Sequence, residues 1–273
     1  FNFISISASF FAMNTNKITA IFPRGSLLKK SIAKERSLVK YLFLNLIYFK
    51  LLKKINILAV TSKKEADDLI SFYASPKKIF EIPNPVFFEG DATTSKIELS
   101  VLEFPVVLFL GRFHKNKRID LLVELAKNTP EFSFVFCGYP GNFLFGELPA
   151  NAVKYPPVHG SQKVSILRDA AFVISIGESE NFSNVLAEAL VLGTPVVTID
   201  EVGISDYIGR FDGGVVARST EISELKRCLQ LCWKRYQGRI SAEEQENYSM
   251  MFSQRTIALR LEEKIDQCKN LTL

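Results

Sequence analysis

Cysteine and histidine are scarce in this sequence of 273 residues, which has four of the first and two of the second. The cysteines are Cys137, Cys228, Cys232 and Cys268. Their spacing matches neither a disulfide framework nor a zinc site, and His114 and His159 lie far apart. We therefore interpret the cysteines as reduced thiols of a cytosolic protein.

Long apolar runs are also missing. A helix that spans a bilayer needs about 20 apolar residues, whereas the most apolar run, Tyr41–Phe49, has nine. We interpret this run as part of a buried helix. The alternative is an interfacial membrane anchor, because Lys50, Lys53 and Lys54 follow the run directly.

No secretory signal peptide is recognised at the start, and the first residue is Phe1 instead of methionine. Residues Phe3–Ser7 predict a short strand that leads into a helix. This beginning resembles the middle of a domain, so we expect further sequence upstream of Phe1.

Acidic residues are scarce in the first part of the chain. Residues 1–78 carry 14 Lys/Arg and 4 Asp/Glu, a net charge of +10, whereas residues 79–273 carry 20 and 25, a net charge of −5. A part this basic favours an anionic partner, either a phosphate-bearing acceptor or an anionic membrane surface. The alternative is a solvated basic face that has no partner.

A dinucleotide-binding turn is not found either. An NAD-dependent oxidoreductase on an α/β fold needs a Gly-x-Gly-x-x-Gly turn after its first strand and an acidic residue further on. The nearest match, Gly138–Gly141, reads GYPG and lacks this spacing. The motif content therefore offers little support for an oxidoreductase.

The sequence does contain a regular alternation of short β-branched or aromatic runs with longer helical patterns. The predicted strands are Ile18–Phe22, Ile57–Val60, Lys78–Ile82, Val106–Leu110, Phe132–Phe136, Phe172–Ile176, Val196–Ile199 and Gly214–Ala217. The predicted helices include 29–52, 62–73, 117–128, 184–192 and 220–236. Most of the strands are unbroken apolar runs, which is typical of strands buried on both faces. The predicted fold class is therefore α/β, with parallel sheets covered by helices.

A break in this pattern falls near residues 84–103, which are rich in turn residues and have proline near both ends. We interpret it as the passage from a partial N-terminal Rossmann-like domain, residues 1–95, to a second such domain, residues 104–245, with five strands. Two helical patterns, at 241–251 and 253–268, follow. We expect residues 246–273 to form a C-terminal helix that returns to the N-terminal domain.

Two acidic residues flank the start of one predicted helix. Glu180 follows the strand Phe172–Ile176 in a polar loop, and Glu188 lies inside the helix that begins near Ser183 or Asn184. Ligands on parallel α/β sheets bind at the carboxyl ends of the strands, and the unpaired N–H groups of a helix N-terminus attract phosphate. Asn184 and Glu188 share one helix face, which we expect to point away from the core.

Carboxylates accept hydrogen bonds from hydroxyl groups. Two carboxylates on either side of a phosphate site therefore suit a molecule with hydroxyls on both sides of a diphosphate, as in a nucleotide sugar. The alternative for Glu188 is a purely structural role, because the helix dipole stabilises an acidic side chain near the N-terminus. That alternative does not explain Glu180, which precedes the helix.

A cluster of cations follows another strand. After Val106–Leu110 the chain continues with Gly111 and Arg112, and Lys117 stands five residues after Arg112. Two cations at the carboxyl end of a strand would neutralise a diphosphate and stabilise it as a leaving group. Further positive charge comes from His114, Lys115 and Arg118. The alternative is a solvated basic loop.

Several stretches carry a resemblance to a known family. GRFHKNKRIDLLVELAK (111–127), HGSQKVSILRDAAFVIS (159–175) and SENFSNVLAEALVLGTPVVTIDEVGISDYI (179–208) are similar to the nucleotide-sugar-binding half of family 4 retaining glycosyltransferases of the GT-B fold. The motifs are Gly-Arg with Lys five residues on, Glu-x7-Glu and Gly-Thr-Pro-Val-Val. The stretches PRGSL (23–27), TSKKEADDL (61–69) and IPNPV (82–86) resemble the later part of that family's N-terminal domain.

The resemblance implies a role for each residue of these motifs. Arg112 and Lys117 would hold the diphosphate of the donor, Glu180 would touch the hydroxyls of the transferred sugar, and Glu188 would bind the ribose hydroxyls. The backbone of residues 181–184 would meet the sugar and the phosphate. The implied catalytic residues are Arg112, Lys117 and Glu180. The implied donor-binding residues are Gly111, Arg112, Lys117, Glu180, Asn181, Phe182, Ser183, Asn184 and Glu188.

The loops after Phe136 and Val158 would bracket the base. The sequence departs from the family pattern at three positions. Asn181 and Arg118 stand where glycine is common, and Asn tolerates left-handed backbone better than most residues. Arg24 stands where relatives often have a histidine that faces the donor sugar, and we assign it to the acceptor side.

The activity implied is transfer of a sugar, with retained anomeric configuration, from a UDP- or GDP-linked donor to a saccharide or lipid-linked acceptor in cell-surface polysaccharide or lipopolysaccharide synthesis. No Asp-x-Asp motif is present, so we expect metal independence and no cofactor. The expected partners are the nucleoside-diphosphate sugar, the acceptor and an anionic membrane surface, but no nucleic acid. The expected location is the cytoplasm, with peripheral attachment to the inner face of the plasma membrane.

Two alternatives remain open. The family's N-terminal domain begins with further strands and a glycine-rich loop that this sequence lacks, which favours a truncated, catalytically inactive protein that binds the nucleotide sugar. A sugar-nucleotide epimerase of the GT-B fold is a weaker alternative, because only the fold supports it.

Overall fold

The computed structural model describes residues 17–25, 55–72, 78–88, 99, 102–178 and 180–270. The chain divides into two compact units, one made of residues 1–84 and 255–273 and the other of residues 85–254. The predicted strand Phe3–Ser7, the predicted helix 29–52 and the apolar run Tyr41–Phe49 lie outside the described residues. Within the described ranges, no helix is both long enough and apolar enough to cross a bilayer.

The first unit contains a parallel sheet with three strands among its described residues. These are β1 (Ala20–Ile21), β2 (Ile57–Val60) and β3 (Ile79–Glu81), in the order β1-β2-β3. Helix α1 (Lys63–Phe72) connects β2 to β3, as a crossover between parallel strands requires. Each strand falls within a predicted run, and β2 is buried at every position because all four of its residues are apolar.

The second unit is built on a parallel sheet of six strands. The strands are β4 (Val106–Leu110), β5 (Ser133–Cys137), β6 (Ala152–Tyr155), β7 (Phe172–Ser175), β8 (Val196–Ile199) and β9 (Gly214–Ala217). The helices are α2 (Ile119–Lys127), α3 (Gly160–Asp169), α4 (Asn184–Val191), α5 (Ser205–Ile208), α6 (Ile222–Tyr236) and α7 (Ala242–Met251). All strand pairs are parallel. The predicted α/β class with parallel sheets is therefore confirmed.

The prediction of five strands in this unit is wrong, because the structure has six. The additional strand is β6, which lies at one edge of the sheet and contains Lys154. Its residues are half-buried or exposed, so they lack the unbroken apolar run that identifies a central strand.

The strand order β6-β5-β4-β7-β8-β9 reverses direction between β4 and β7. The chain moves outward from β4 through β5 and β6, then returns to the other side of β4 and moves outward again from β7. Loops at the carboxyl ends of β4 and β7 therefore leave the sheet in opposite directions. A crevice forms at such a reversal, and it is the usual ligand site on a parallel α/β sheet.

Helix α8 (Gln254–Asn270) belongs to the first unit from residue 255 onward. It packs one side against the three buried residues Ile57, Ala59 and Ile82. The helix residues in this contact are Ile257, Leu261, Ile265 and Cys268. They recur every three or four residues, so they form a single apolar stripe on the helix.

Candidate functional site

Two loops meet at the crevice between β4 and β7. We call residues 111–118, which follow β4, the basic loop, and residues 176–183, which follow β7, the acidic loop. The N–H of Glu178 donates a hydrogen bond of 2.7 Å to the carbonyl oxygen of Asn116. A Cβ atom at Gly177 would lie 3.2 Å from that oxygen, which is closer than an ordinary contact. Glycine at this position therefore lets the two loops approach each other.

An ion pair joins the two loops. The Nζ atom of Lys117 lies 2.9 Å from Oε1 of Glu180, and the two side chains are 27% and 14% exposed. The other carboxylate oxygen of Glu180 accepts a hydrogen bond of 3.0 Å from Oγ of Ser175. The N–H of Gly203 donates to the carbonyl oxygen of Glu180 at 3.1 Å. The structure thus brings one predicted cation and the first predicted acid together.

Arg112 differs from Lys117 in that no described acidic side chain pairs with it. It is exposed, and its guanidinium makes no hydrogen bond or ion pair with the described part of the chain. The next residue, Phe113, is buried, and its N–H donates to the carbonyl oxygen of Tyr139 at 2.8 Å. The backbone around Arg112 is therefore fixed while its charged group remains accessible.

Gly111 lies against the loop that follows β5. Its N–H donates to the carbonyl oxygen of Cys137 at 2.9 Å. A Cβ atom at Gly138 would lie 1.7 Å from the carbonyl oxygen of Gly111, which is a severe overlap. This close approach determines where the chain turns at the carboxyl ends of β4 and β5.

Helix α4 begins at Asn184, directly after the acidic loop, and Ser183 is its N-cap residue. The ring of Phe182 packs edge-on against Tyr207 and Phe252, with ring centroids 5.8 Å apart in each pair. The side chain of Phe182 is thus part of the core and is not directed into the crevice. It anchors the acidic loop to the core at a position two residues after Glu180.

Glu188 pairs with a cation that the motifs do not identify. The Nζ atom of Lys163, on α3, lies 2.6 and 2.7 Å from the two carboxylate oxygens of Glu188. Burial raises the pKa of the Glu188 carboxyl above its ordinary value, and Lys163 opposes this shift. Asn184 on the same helix face is exposed, as expected for a face that points away from the core, whereas α3 covers Glu188 and leaves its side chain 14% exposed.

Arg118 and Asn181, which both stand where glycine is common in the family, have different backbone conformations. Arg118 has φ +53° and ψ +43°, a left-handed conformation that favours glycine. Among the described residues, the other non-glycine residues with positive φ are Arg24 and Gln237. Asn181 is not one of them, so its tolerance of left-handed backbone is not needed here.

Sequence reasoning missed several side chains at this edge of the sheet. Lys163 and Glu188 are 25 residues apart, and Ser175 is the last residue of an apolar strand, so no local pattern marks either contact. The hydroxyl of Tyr139 is hydrogen-bonded to Nε2 of His159. These two residues lie in the loops after β5 and β6 that the resemblance assigns to the base.

Arg24 belongs to the first unit and is described there by itself. It is exposed and has φ +46°. The next N–H, of Gly25, donates to Oε1 of Glu65 at 2.6 Å, and Oε2 of Glu65 accepts from the N–H of Thr61 at 2.9 Å. Glu65 is fully buried, so its carboxylate holds the turn that carries Arg24.

A surface cavity of about 690 Å³ lies elsewhere in the second unit. Its lining includes Val106 and Ala171, which stand at the amino-terminal ends of β4 and β7, together with Trp233. In a parallel sheet these ends are opposite the carboxyl ends. The cavity is therefore separate from the basic and acidic loops.

The family model described as Glycosyl transferases group 1 matches residues 91–246, which is more than half of the chain. The D-inositol 3-phosphate glycosyltransferase of Mycobacteroides abscessus is 29% identical over 158 residues, covering 51% of this chain and 36% of the relative. The protein of the same name from Mycolicibacterium gilvum is 27% identical over 182 residues, covering 60% of this chain and 41% of the relative. The chain thus spans less than half the length of these curated relatives.

Solved structures show the same arrangement of elements. Anabaena Alr3699/HepE, solved in complex with UDP and glucose, superimposes with a TM-score of 0.73 at 17% identity, covering 97% of this chain and 75% of that chain. The sucrose-phosphate synthase of Thermosynechococcus elongatus gives a TM-score of 0.65 at 18% identity, covering 82% and 61%. At these identities the likeness concerns the fold alone.

Proposed function

Because the chain belongs to the family described as glycosyl transferases group 1, we propose that it transfers a sugar from a nucleoside-diphosphate sugar to an acceptor hydroxyl. The solved structures confirm the predicted GT-B fold class, and the first sheet has three strands among the described residues. The observation that carries the proposal is the contact between the basic and acidic loops where the strand order reverses. There Lys117 pairs with Glu180 at 2.9 Å.

The diphosphate of the donor is assigned to the basic loop. The accessible guanidinium of Arg112 is suited to a phosphate, because it donates two parallel hydrogen bonds to a pair of anionic oxygens. Lys117 would share its charge between the phosphate and Glu180. The N-terminus of α4 follows the acidic loop, and the helix dipole adds partial positive charge on the same edge of the sheet.

The hydroxyl groups of the donor are assigned to the two acids. Glu180 would accept hydrogen bonds from the transferred sugar, and Glu188 would accept them from the ribose. Both side chains are 14% exposed. A hydrogen bond to a carboxylate that is largely removed from water is stronger than one at the surface, so both acids suit recognition of hydroxyls.

The chemical step in this proposal is departure of the diphosphate from the anomeric carbon. Negative charge grows on the leaving phosphate, and Arg112, Lys117 and the helix N-terminus would stabilise it. We propose that the acceptor hydroxyl attacks from the face that the diphosphate leaves and passes its proton to the departing phosphate oxygen, so that the anomeric configuration is retained. No protein nucleophile and no metal ion take part in this scheme.

The proposed donors are UDP- and GDP-linked sugars, and the hydrogen-bonded pair of Tyr139 and His159 is proposed to lie beside the base. The proposed acceptor is a saccharide or a lipid-linked saccharide of a cell-surface polysaccharide, with Arg24 on the acceptor side. The basic residues 1–78, with a net charge of +10, would favour an anionic membrane surface at the inner face of the plasma membrane.

Calorimetric titration with UDP and with GDP tests the phosphate assignment. Arg112→Ala is expected to weaken binding of the preferred nucleotide by about 1.5–3 kcal/mol, because it removes charge-assisted hydrogen bonds. Arg255→Ala, which changes an exposed arginine on α8, is the matched control and should bind like the wild type. Unchanged affinity in Arg112→Ala would refute the assignment.

A transfer assay then separates an enzyme from an inactive binding protein. Incubation with UDP-glucose or GDP-mannose should release free nucleotide, and a chelator should leave the rate unchanged. Nucleotide binding without release would favour the inactive binding protein. Loss of release in the presence of the chelator would refute metal independence.

A further inference from the structure

We propose that Arg118 is a positioning residue that holds the acidic loop against the basic loop and thereby keeps Glu180 in place. The inference rests on the proposed function, because Glu180 is assigned there to the sugar of the donor. It adds a role for a residue that stands where glycine is common in the family.

The backbone of Arg118 supplies the first observation. Its φ of +53° places a residue with a Cβ atom in a conformation that glycine adopts without strain. Strained residues of this kind persist where the surrounding structure fixes them, and they are concentrated at functional sites. Glycine at this position would relieve the strain but would have no side chain to reach other loops.

The side chain of Arg118 contacts acids from two other loops. Its Nε and Nη2 atoms each donate to Oε1 of Glu178 at 3.4 Å. Nη2 also lies 3.8 Å from Oε2 of Glu201, which follows β8. The Arg118 side chain is 17% exposed. One guanidinium from the basic loop therefore reaches the acidic loop and the loop after β8 together.

The two acids belong to segments that also make backbone hydrogen bonds at the acidic loop. Beside the first, the N–H of Glu178 donates to Asn116 at 2.7 Å, and beside the second, the N–H of Gly203 donates to the carbonyl oxygen of Glu180 at 3.1 Å. Arg118 thus reinforces both backbone contacts that hold the acidic loop. A planar guanidinium can address two carboxylates in this way, whereas a lysine ammonium acts as a single point charge.

The contacts are long, and Glu178 is 47% exposed. Ion pairs of this kind contribute little to the stability of a whole protein. The effect of Arg118 is therefore expected in the position of the loop and not in the melting temperature, which gives the proposal a distinctive test.

The test compares Arg118→Gly with the matched control Gln237→Gly. Gln237 also has a left-handed backbone, with φ +46°, but it lies at the end of α6. Both variants should keep or raise the melting temperature, because glycine relieves the backbone in each. Only Arg118→Gly should accelerate hydrogen exchange at the amides of Glu178 and Gly203.

Binding supplies the second measurement. One of UDP-glucose and GDP-mannose is used, whichever the wild type binds. Arg118→Gly should lower the affinity for this sugar nucleotide roughly tenfold more than the affinity for the corresponding free nucleotide, because Glu180 is assigned to the sugar. The double variant Glu178→Gln with Glu201→Gln removes the charges that Arg118 addresses without altering the backbone at residue 118. It should show the same selective loss.

Unchanged amide exchange would overturn the proposal, and so would faster exchange with an unaltered ratio of sugar-nucleotide to nucleotide affinity. An equal loss for both ligands indicates general damage to the site and also counts against it. If the wild type binds none of the four ligands, the proposed function fails. The exchange rates at Glu178 and Gly203 then decide on their own whether Arg118 holds the loop.

Discussion

Glu180→Gln should raise the affinity for a free nucleotide and lower the affinity for a sugar nucleotide relative to it. Glu180 neutralises Lys117 at 2.9 Å and accepts a hydrogen bond from Ser175. Glutamine has nearly the same size and keeps one acceptor oxygen, but it has no charge. Without the ion pair, Lys117 is free to bind phosphate, so the nucleotide should bind more tightly. The sugar should lose its charged acceptor.

The size of the first effect follows from the exposure of the pair. An exposed ion pair contributes about 0–1 kcal/mol, and a hydrogen bond to a charged group contributes about 1.5–3 kcal/mol. Lys117 and Glu180 are 27% and 14% exposed, so their pair belongs between these ranges, at about 1–2 kcal/mol. The gain in nucleotide affinity is then at most about five- to thirtyfold. The loss at the sugar is about 1.5–3 kcal/mol.

Calorimetric titration with UDP, UDP-glucose, GDP and GDP-mannose measures both effects on one protein. Glu224→Gln is the matched control, because Glu224 forms an ion pair of 2.8 Å with Arg227 on α6, with a carboxylate side chain that is 17% exposed. It should leave all affinities unchanged. The reasoning is refuted if Glu180→Gln lowers the affinities for the free nucleotide and for the sugar nucleotide by the same factor.

Three further predictions concern other residues of the same edge. Glu188→Gln should weaken the binding of a ribonucleotide by about 1.5–3 kcal/mol and the binding of its 2′,3′-dideoxy analogue much less. Equal losses of affinity in a titration would contradict the ribose role. Burial raises the pKa of Glu188 above 4.5, so the folded state takes up this proton more readily than the unfolded state. Acidification through the raised pKa should therefore weaken ribonucleotide binding. Over the same pH range the contribution of Glu188 to the free energy of unfolding should increase, and neither pH-dependent change should be seen for Glu188→Gln. Gly138→Ala should lower the free energy of unfolding, measured in urea, by about 1–3 kcal/mol, because the added Cβ would lie 1.7 Å from the carbonyl oxygen of Gly111. The control Gly146→Ala should change the free energy of unfolding by less than about 0.5 kcal/mol, because no atom lies within 4 Å of its added Cβ.

The central strands and the helix of the acidic motif could be predicted from the sequence because their signals are local. Strands β2, β4 and β8 have the predicted bounds, since a strand buried on both faces is an unbroken apolar run. Gly193, which has φ +81°, follows the C-cap residue Leu192, as expected for glycine just after a helix. Such patterns depend only on neighbouring residues.

The edge strand β6 and the contacts of the site could not be predicted in this way. Lys154 interrupts the only apolar signal of β6, and its pairing with β5 is a long-range contact. The sequence presents Lys117 and Glu180 as two separate charges, and the structure joins them because β4 and β7 are neighbours in the sheet.

Sequence alone determined which residue types stand at the carboxyl ends of the strands, because motif spacing and strand ends are properties of short segments. The tertiary structure decided which charge is neutralised and which is free. It placed Lys163 on Glu188 and left Arg112 accessible. It also gave Arg118 a left-handed backbone between two acids. The physical reason is that electrostatic pairing and burial depend on distances in space, and the folding of the sheet sets those distances between residues far apart in the chain.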